Sequence, residues 1–373
     1  MNFDFSDDQK MLQQTARTYL AEHAPLSICR SVLESEQLYA RDLWKGVGEL
    51  GWLGTAIPEE FGGAGFGHLE TAVLAEEIGR SLAPIPFASS VYLATEALLI
   101  AGSESQKKKY LPKLASGSAI GTLAVAERPG QNGIEGIRTT FDGRTVSGTK
   151  LPVLDGEAAD FAVVVVTRGT TLSLVIVDLN GDGIQRSAVK SFDPSRPLAK
   201  LVFNQAPAEL LGSEGQGASL TDRILDRAAV LMAFEQIGAA QRAFEITRDY
   251  TLGRYAFGRP IASNQAIKHN LANLWCGIEL ARSNAYYGAW ALSNDDPELT
   301  TASGLARVSA SEAFDRMSAE MIQLHGGVGY TWEYDCHLFY RRAKLLSAIL
   351  GSTSSWRAKL IDRLATRSDA DAA

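Results

Sequence analysis

The sequence predicts an α+β protein in which a β domain lies between two helical domains. Three observations support this prediction. Apolar residues recur at helical spacing up to about residue 117, give way to short Val-, Ile- and Leu-rich runs from Ala119, and return to a period of 3.6 residues from about Ile224. With 373 residues, the chain is also longer than one simple core requires. We therefore expect domains at residues 1–117, 118–218 and 219–373.

The first domain begins with a helix whose N-terminus has a capping-box pattern. Ser6 is the expected N-cap, and Gln9 stands three residues later, where its side chain can reach back to the cap. Glycine and proline interrupt the helical patterns that follow. These patterns cover Leu43–Leu50, Leu69–Gly79, Val91–Ala101 and Glu104–Leu114. Together they predict an all-α unit.

The middle domain is predicted from one hairpin signal and several apolar runs. Asp142-Gly143 is a typical two-residue turn between short strand-like segments. The other predicted strands are Phe161–Thr167, Leu172–Asp178 and Leu201–Phe203.

The last domain carries four long helical patterns with short connections, which predict a four-helix bundle. They are Ile224–Tyr250, Asn264–Ser293, Thr300–Gly326 and Arg342–Thr366.

The composition excludes several classes of function. A net charge of −7 argues against nucleic acid as the main partner, since phosphate backbones require clustered basic residues. Cys29, Cys276 and Cys336 share no CxxC spacing, so neither a disulfide framework nor a metal site is indicated. The N-terminus is acidic and amphipathic without an apolar signal segment, no apolar run is long enough to span a membrane, and we expect a cytoplasmic protein.

The stretch from Arg254 to His269 interrupts the helical patterns with Gly258 and Pro260, at a corner between two helices. The guanidinium of Arg254 is planar and permanently charged, which suits a bidentate contact with a phosphate. The alternative is an arginine that only compensates a helix dipole.

A second stretch, Gln323–Tyr330, ends a helix with two adjacent glycines, Gly326 and Gly327. Glycines permit the close approach of another backbone or of a pyrophosphate. A plain glycine C-cap is the alternative.

Together the two stretches resemble the late motifs of the acyl-CoA dehydrogenase family: Arg-x-x-Phe-Gly, a Gln-containing helix start, and Gln-x-x-Gly-Gly-x-Gly. The matching residues here are Arg254, Phe257, Gln265, Gln323, Gly326 and Gly327. The resemblance also includes Gly51–Gly54, Pro58–Gly63, Ala75–Gly79 and Tyr340–Lys344. In addition, Thr331–His337 resembles subunits of bacterial heterotetrameric enzymes that dehydrogenate steroid side-chain CoA esters.

The resemblance implies the acyl-CoA dehydrogenase fold, with a middle β-barrel-like domain, and a tetrameric flavoprotein that holds FAD. Such enzymes remove a proton from Cα of an acyl-CoA and a hydride from Cβ, which goes to the flavin. They usually pass electrons on to an electron-transferring flavoprotein. The six matching residues are those that the family offers to the FAD of a neighbouring subunit.

The family's catalytic base is a glutamate at one of two positions, and both lack a carboxylate here. One position, just before a glycine that follows Arg341–Lys344, holds Leu350, and the other, on the helix before Arg-x-x-Phe-Gly, holds Ala228. Asp226 is the remaining candidate base, although a helical spacing of two residues points it away from that face. A structural acid in the first turn of a helix is the alternative. For Glu235 we expect a buried structural role.

The segments that would contact the chain's own flavin differ from the family pattern. Ala126–Gly130 and Leu151–Leu154 stand where the family has Thr-Glu-Pro-Gly and Trp-Ile-Thr, so both Thr hydroxyls and the Trp are missing. Residues offered to a neighbour are retained, whereas those serving the chain's own flavin are altered. This contrast predicts a subunit that completes the FAD site of a catalytic paralogue in a heterotetramer.

Two alternatives stay open at this point. One is a self-sufficient homotetrameric dehydrogenase with a relocated base such as Asp226. The other is a binding or scaffold homologue that kept the fold and lost the redox activity. In each case His325 and His337 are interpreted as helix-end or interface histidines rather than as catalytic residues.

Overall fold

The computed structural model describes residues 5–371, and the N-terminal part of this range is helical as predicted. Its α-helices are α1 (Asp7–His23), α2 (Leu26–Leu33), α3 (Arg41–Glu49), α4 (His68–Arg80), α5 (Glu96–Ala101) and α6 (Glu104–Ala115). The capping box of α1 is confirmed, because the Gln9 N–H donates to Ser6 Oγ at 3.2 Å and the Ser6 N–H donates to Gln9 Oε1 at 2.9 Å. The predicted helix Val91–Ala101 differs, since Ala88–Thr95 is π-helical before α5 begins.

The middle domain contains seven strands in the described chain. They are β1 (Gly121–Ala124), β2 (Thr140–Phe141), β3 (Thr145–Leu154), β4 (Phe161–Arg168), β5 (Thr171–Asp178), β6 (Ile184–Val189) and β7 (Leu198–Leu211). The pairs β4–β5, β5–β7, β7–β3, β3–β2 and β2–β4 close a ring, with β1 added along β4 and β6 along β7. The β-barrel-like domain is thus confirmed, and Asp142-Gly143 lies in the hairpin between β2 and β3.

The C-terminal domain contains five α-helices in the described chain. They are α7 (Gly217–Gly253), α8 (Gln265–Ser293), α9 (Leu299–His325), α10 (Cys336–Leu346) and α11 (Thr353–Asp371). The prediction of one helix over Arg342–Thr366 is wrong, because residues 347–352 separate α10 from α11. Gly351 has a φ of +97° there, and Ser352 Oγ accepts the Ser355 N–H at 3.2 Å, which caps α11. Within residues 5–371, each helix is too short or too polar to cross a bilayer.

Two glycines let α4 and α7 touch backbone to backbone. A Cβ atom at Gly79 would lie 1.8 Å from the carbonyl oxygen of Glu235, and one at Gly238 would lie 1.8 Å from that of Glu76. Any larger residue at either position must push the two helices apart. The crossing therefore fixes the N-terminal domain against the longest helix of the C-terminal domain.

Buried ion pairs join the middle and C-terminal domains. Arg342 Nε of α10 donates to Asp193 Oδ2 at 2.5 Å, and Arg196 Nη1 donates to Glu235 Oε1 of α7 at 3.2 Å. Arg196 Nη2 also lies 3.7 Å from Asp155 Oδ2, just after β3. All five side chains are at most 2% exposed, and burial raises the pKa of Asp155. Glu235 thus has the buried structural role expected from the sequence.

Candidate functional site

Helix α7 leads into a small hairpin rather than into the plain corner that the sequence indicated. Strand β8 (Tyr255–Ala256) pairs with β9 (Arg259–Pro260), and the tip residues Phe257 and Gly258 have φ values of +52° and +79°. Two-residue hairpin loops need positive φ, but this is uncommon for phenylalanine. The Phe257 side chain is fully exposed. Non-glycine residues with positive φ cluster at ligand contacts and switch regions, so the tip of this hairpin is a candidate contact with another molecule.

Arg254 lies at the base of this hairpin with a fixed backbone and a free side chain. Its N–H donates to the carbonyl of Tyr250 at 2.8 Å, and its own carbonyl accepts the Ile261 N–H at 2.8 Å. Its guanidinium is exposed and has no hydrogen bond or ion pair with any residue of the described range 5–371. In contrast, Arg259 donates to Asn264 Oδ1 at 2.8 Å. Arg254 can therefore bind an external anion without breaking a contact in its own chain.

The end of α9 forms an open glycine turn. Gln323 is exposed in the last turn of the helix, and Gly326 follows with a φ of +62°. A Cβ atom on Gly326 or on Gly327 would meet no atom within 4 Å. The turn thus offers bare backbone to a ligand from outside the chain.

Contacts between helix ends bring these stretches to one end of the bundle. The Tyr250 ring stacks on the His325 ring with centroids 4.2 Å apart, and the Tyr250 hydroxyl donates to the His325 carbonyl at 3.2 Å. Asn270 Nδ2 of α8 donates to Glu320 Oε2 of α9 at 2.6 Å. Sequence analysis missed these contacts, because pairs so far apart along the chain leave no local pattern.

We call this region the bundle-end surface and define it by the six residues that the family resemblance singled out. Gln265, the first residue of α8, is exposed like the others. The set comprises Arg254, Phe257, Gln265, Gln323, Gly326 and Gly327.

His325 is buried beneath the bundle-end surface. It is 3% exposed, its Nδ1 lies 2.7 Å from the Met321 carbonyl, and burial lowers its pKa. A carbonyl accepts hydrogen bonds, so Nδ1 carries the proton of a neutral ring. His325 is therefore a helix-end histidine, in agreement with the sequence interpretation.

The bundle-end surface fits part of a dinucleotide such as FAD. It combines a free guanidinium for phosphate, exposed glycine backbone for close approach, amide side chains for hydrogen bonds and an exposed aromatic ring. All of these groups point outward, away from the chain's own core. The six residues are therefore open to a ligand or to another chain.

A separate cleft contains the first family position for the base. This cavity of about 920 Å³ is bounded by residues 132–135, the first turns of α7 and α9, and α11. Leu350 and Gly351 lie in its wall, and Leu350 is 6% exposed. Asn132 Oδ1 accepts the Ser352 N–H at 3.0 Å and closes one end. The position thus presents an apolar side chain to the cleft, which cannot accept a proton.

The candidate base Asp226 is engaged in a buried ion pair. Arg363 donates from Nη1 to Oδ1 at 3.0 Å and from Nη2 to Oδ2 at 2.7 Å, Ser303 Oγ donates to Oδ1 at 3.1 Å, and Lys359 Nζ lies 3.4 Å from Oδ1. Asp226 is 3% exposed. Two cations and a hydroxyl thus occupy both carboxylate oxygens of Asp226, which leaves neither oxygen free to meet a substrate. This geometry favours the structural alternative for Asp226.

The second family position and the altered flavin segments also lack a free acid. Ala228 is fully buried on α7. Glu127 accepts from Lys150 Nζ at 3.0 Å and from the Thr139 N–H and hydroxyl at 2.8 and 2.6 Å. Burial lowers the pKa of Lys150 to about 8. Glu127 therefore binds Thr139 and Lys150, the residue of β3 that directly precedes Leu151–Leu154. Its carboxylate is thus not available as a base.

The cleft and the bundle-end surface differ in charge. The residues at positions 248–269 include a single carboxylate, Asp249, and four permanent cations, Arg248, Arg254, Arg259 and Lys268. The ionisable residues that line the cleft are Glu135, Asp222, Glu298, Lys359, Asp362 and Arg363. Carboxylates outnumber cations in the cleft, whereas cations outnumber carboxylates in the stretch 248–269, so this stretch suits an anionic ligand better than the cleft does.

Comparison with known proteins identifies the same family at both ends of the chain. The family model "Acyl-CoA dehydrogenase, N-terminal domain" matches residues 6–118, and "Acyl-CoA dehydrogenase, C-terminal domain" matches residues 215–365. The relative "Acyl-CoA dehydrogenase IpdE2" of Mycobacterium tuberculosis is 34% identical over 351 residues, which cover 93% of this chain and 94% of the relative.

Solved structures share the fold over nearly the full chain. A structure of the Tcur3481-Tcur3483 steroid ACAD is 28% identical with a TM-score of 0.87, covering 97% of this chain and 99% of that one. The ChsE4-ChsE5 complex from Mycobacterium tuberculosis is 25% identical with a TM-score of 0.88, covering 98% and 99%.

Proposed function

The chain belongs to the acyl-CoA dehydrogenase family of FAD-dependent flavoproteins, and on this premise we propose that it completes the FAD site of a base-bearing paralogue. The two chains together form a heteromeric enzyme that dehydrogenates an acyl-CoA between Cα and Cβ. In that enzyme this chain binds and orients the cofactor, and the paralogue supplies the base.

One observation carries the proposal. The bundle-end surface keeps all six residues in exposed positions, whereas both base positions hold apolar side chains, Leu350 and Ala228. Proton removal from a thioester needs a carboxylate beside Cα, and Asp226 is occupied by Arg363. The chain is thus equipped to serve a flavin in another subunit but not to abstract the proton.

The roles follow from the groups present. Arg254 binds a phosphate of FAD, and the backbone at Gly326 and Gly327 admits the cofactor closely. Gln265 and Gln323 offer amide hydrogen bonds, and Phe257 covers an apolar part of the cofactor. When bound, FAD supplies the hydride acceptor that no amino-acid side chain provides. All six residues contact the cofactor of the paralogue and leave its substrate pocket to that chain.

Relatives of this chain support both the heteromer and the substrate class. Two solved relatives are named as pairs of components, Tcur3481-Tcur3483 and ChsE4-ChsE5, and the first is described as a steroid ACAD. The segment Thr331–His337 resembles subunits of such enzymes. We therefore assign a bulky, ring-bearing CoA ester as substrate. Because enzymes of this family usually pass electrons to an electron-transferring flavoprotein, we assign such a protein as electron acceptor.

FAD stoichiometry tests the proposal. The chain should purify without flavin when expressed by itself, and a complex with a base-bearing paralogue from the same genome should contain about one FAD for each pair of chains. Reduction of that flavin by a saturated acyl-CoA should depend on the paralogue's base. If the isolated chain binds one FAD per protomer and is bleached by an acyl-CoA, it is a self-sufficient dehydrogenase. Folded, flavin-free chain that forms no such complex would indicate the scaffold alternative.

A further inference from the structure

Helix α2 of the N-terminal domain holds the loop that follows the glycine turn. Arg30 Nη1 donates to the Trp332 carbonyl at 2.6 Å, and Nη2 donates to Asp335 Oδ1 at 2.6 Å and to the Glu333 carbonyl at 3.4 Å. Glu34, at the end of α2, accepts the Trp332 Nε1–H at 2.6 Å. We call these contacts of Arg30 and Glu34 with residues 332–335 the α2 clamp.

The clamp acts on an exposed loop, which also contacts His337 and Tyr250. The residues at positions 331–334 are exposed, and Tyr330 before them is 88% exposed. The Trp332 ring stacks on His337 with centroids 4.5 Å apart and lies near the guanidinium of Arg341. A planar guanidinium that binds two carbonyls and one carboxylate orders such a loop far better than a single hydrogen bond.

The glycine turn is thus fixed at both ends. At its start, His325 is held by the stacked Tyr250 ring. At its end, the Thr331 N–H donates to the Val328 carbonyl at 3.1 Å, and the clamped residues follow directly. Between these anchors, a Cβ atom added at Gly326 or Gly327 would meet no atom within 4 Å. Loss of either anchor should let the turn sample other conformations.

We propose that Arg30 is a positioning residue for the cofactor, because the α2 clamp holds Gly326 and Gly327 in the conformation that admits FAD. This inference rests on the proposed function of the bundle-end surface. It assigns part of the FAD affinity to a helix of the N-terminal domain, since Arg30 precedes Trp332 by 302 residues along the chain. Arg30 acts through the loop and does not contact FAD itself.

Hydrogen exchange on the isolated full-length chain tests the positioning directly. In Arg30→Ala, amides at positions 326–335 should exchange about two- to thirty-fold faster, the range of effects for residues that couple to a site through contacts. Glu34→Ala, which removes an exposed acceptor and leaves the core unchanged, should accelerate the same peptides to a smaller extent. Arg168→Ala is the matched control, since it breaks an equally short ion pair with Glu214 on the middle domain. Unchanged exchange in both clamp variants would overturn the proposal.

Flavin release from the complex with the paralogue tests the functional consequence. Arg30→Ala should release FAD about two- to thirty-fold faster than wild type at an unchanged melting temperature and unchanged assembly, and Arg30→Lys should restore part of the retention. Release as slow as in wild type, alongside faster release in Arg254→Ala, would refute the clamp and leave the proposed function intact. If Arg254→Ala also releases FAD at the wild-type rate, the proposed function itself fails.

Discussion

Replacing Arg254 with alanine should weaken FAD binding in the complex with the paralogue by about 1.5–3 kcal/mol, the usual worth of a hydrogen bond to a charged group. This corresponds to a roughly ten- to hundred-fold higher dissociation constant. We expect the substitution to weaken FAD binding without lowering the stability of the folded chain. The Arg254 side chain has no partner in the described range 5–371, so its removal should change the free energy of unfolding of the chain by no more than about 0.5 kcal/mol.

The assay is a flavin-fluorescence titration of the apo complex with FAD at low and high salt. The matched control is Arg259→Ala, which removes the same charge from the same hairpin but from a side chain already bonded to Asn264. A phosphate contact predicts a large effect for Arg254 that decreases with salt and a small effect for Arg259. Equal dissociation constants for the two variants would refute the reasoning, because a general field effect would then explain the affinity.

Three further predictions concern stability and are measured by urea unfolding. Arg342→Met should lower the free energy of unfolding by about 3–5 kcal/mol, because it leaves the buried Asp193 carboxylate without its cationic partner; Arg357→Ala, at an exposed pair, should cost less than about 1 kcal/mol. Gly238→Ala should cost about 1–3 kcal/mol or more, since the new methyl group meets the Glu76 carbonyl; a neutral result would disprove the tight crossing. Burial lowers the pKa of Lys150 from 10.5 to about 8. The unfolded chain therefore binds more protons between pH 8 and 10.5, so wild type should gain up to about 3 kcal/mol over Lys150→Met across that window, and a flat difference would contradict the shift.

Local patterns predicted the fold well wherever neighbouring residues decide the structure. Ser6 and Gln9 form the expected capping box, and the Asp142-Gly143 turn joins two strands as expected. The break after α10 was missed although Gly351 and Ser352 mark it, because the apolar period continues on both sides of them. The strand Leu201–Phe203 was predicted too short, since polar residues on the outer face of β7 interrupt its apolar pattern.

The site was predictable only in part. The six residues of the bundle-end surface were singled out by motifs that are continuous in sequence, and the structure shows them exposed; their contact with FAD stays a prediction. Their convergence depends on Tyr250 and His325, and the α2 clamp joins Arg30 to Trp332. Such pairs form only when distant helices pack, so no period or spacing reveals them.

The contact between α4 and α7 determines whether fragments of this chain can fold by themselves. The residues of α7 from Ala228 to Ala240 are all buried, and part of their cover is α4 of the N-terminal domain. A fragment that begins near residue 118 would expose this long apolar surface to water and would also lack α2. We therefore expect proteases to cut surface loops without releasing a folded piece, and shortened forms to precipitate. The sequence predicts three domains, but we expect them to be stable only as parts of one folded unit.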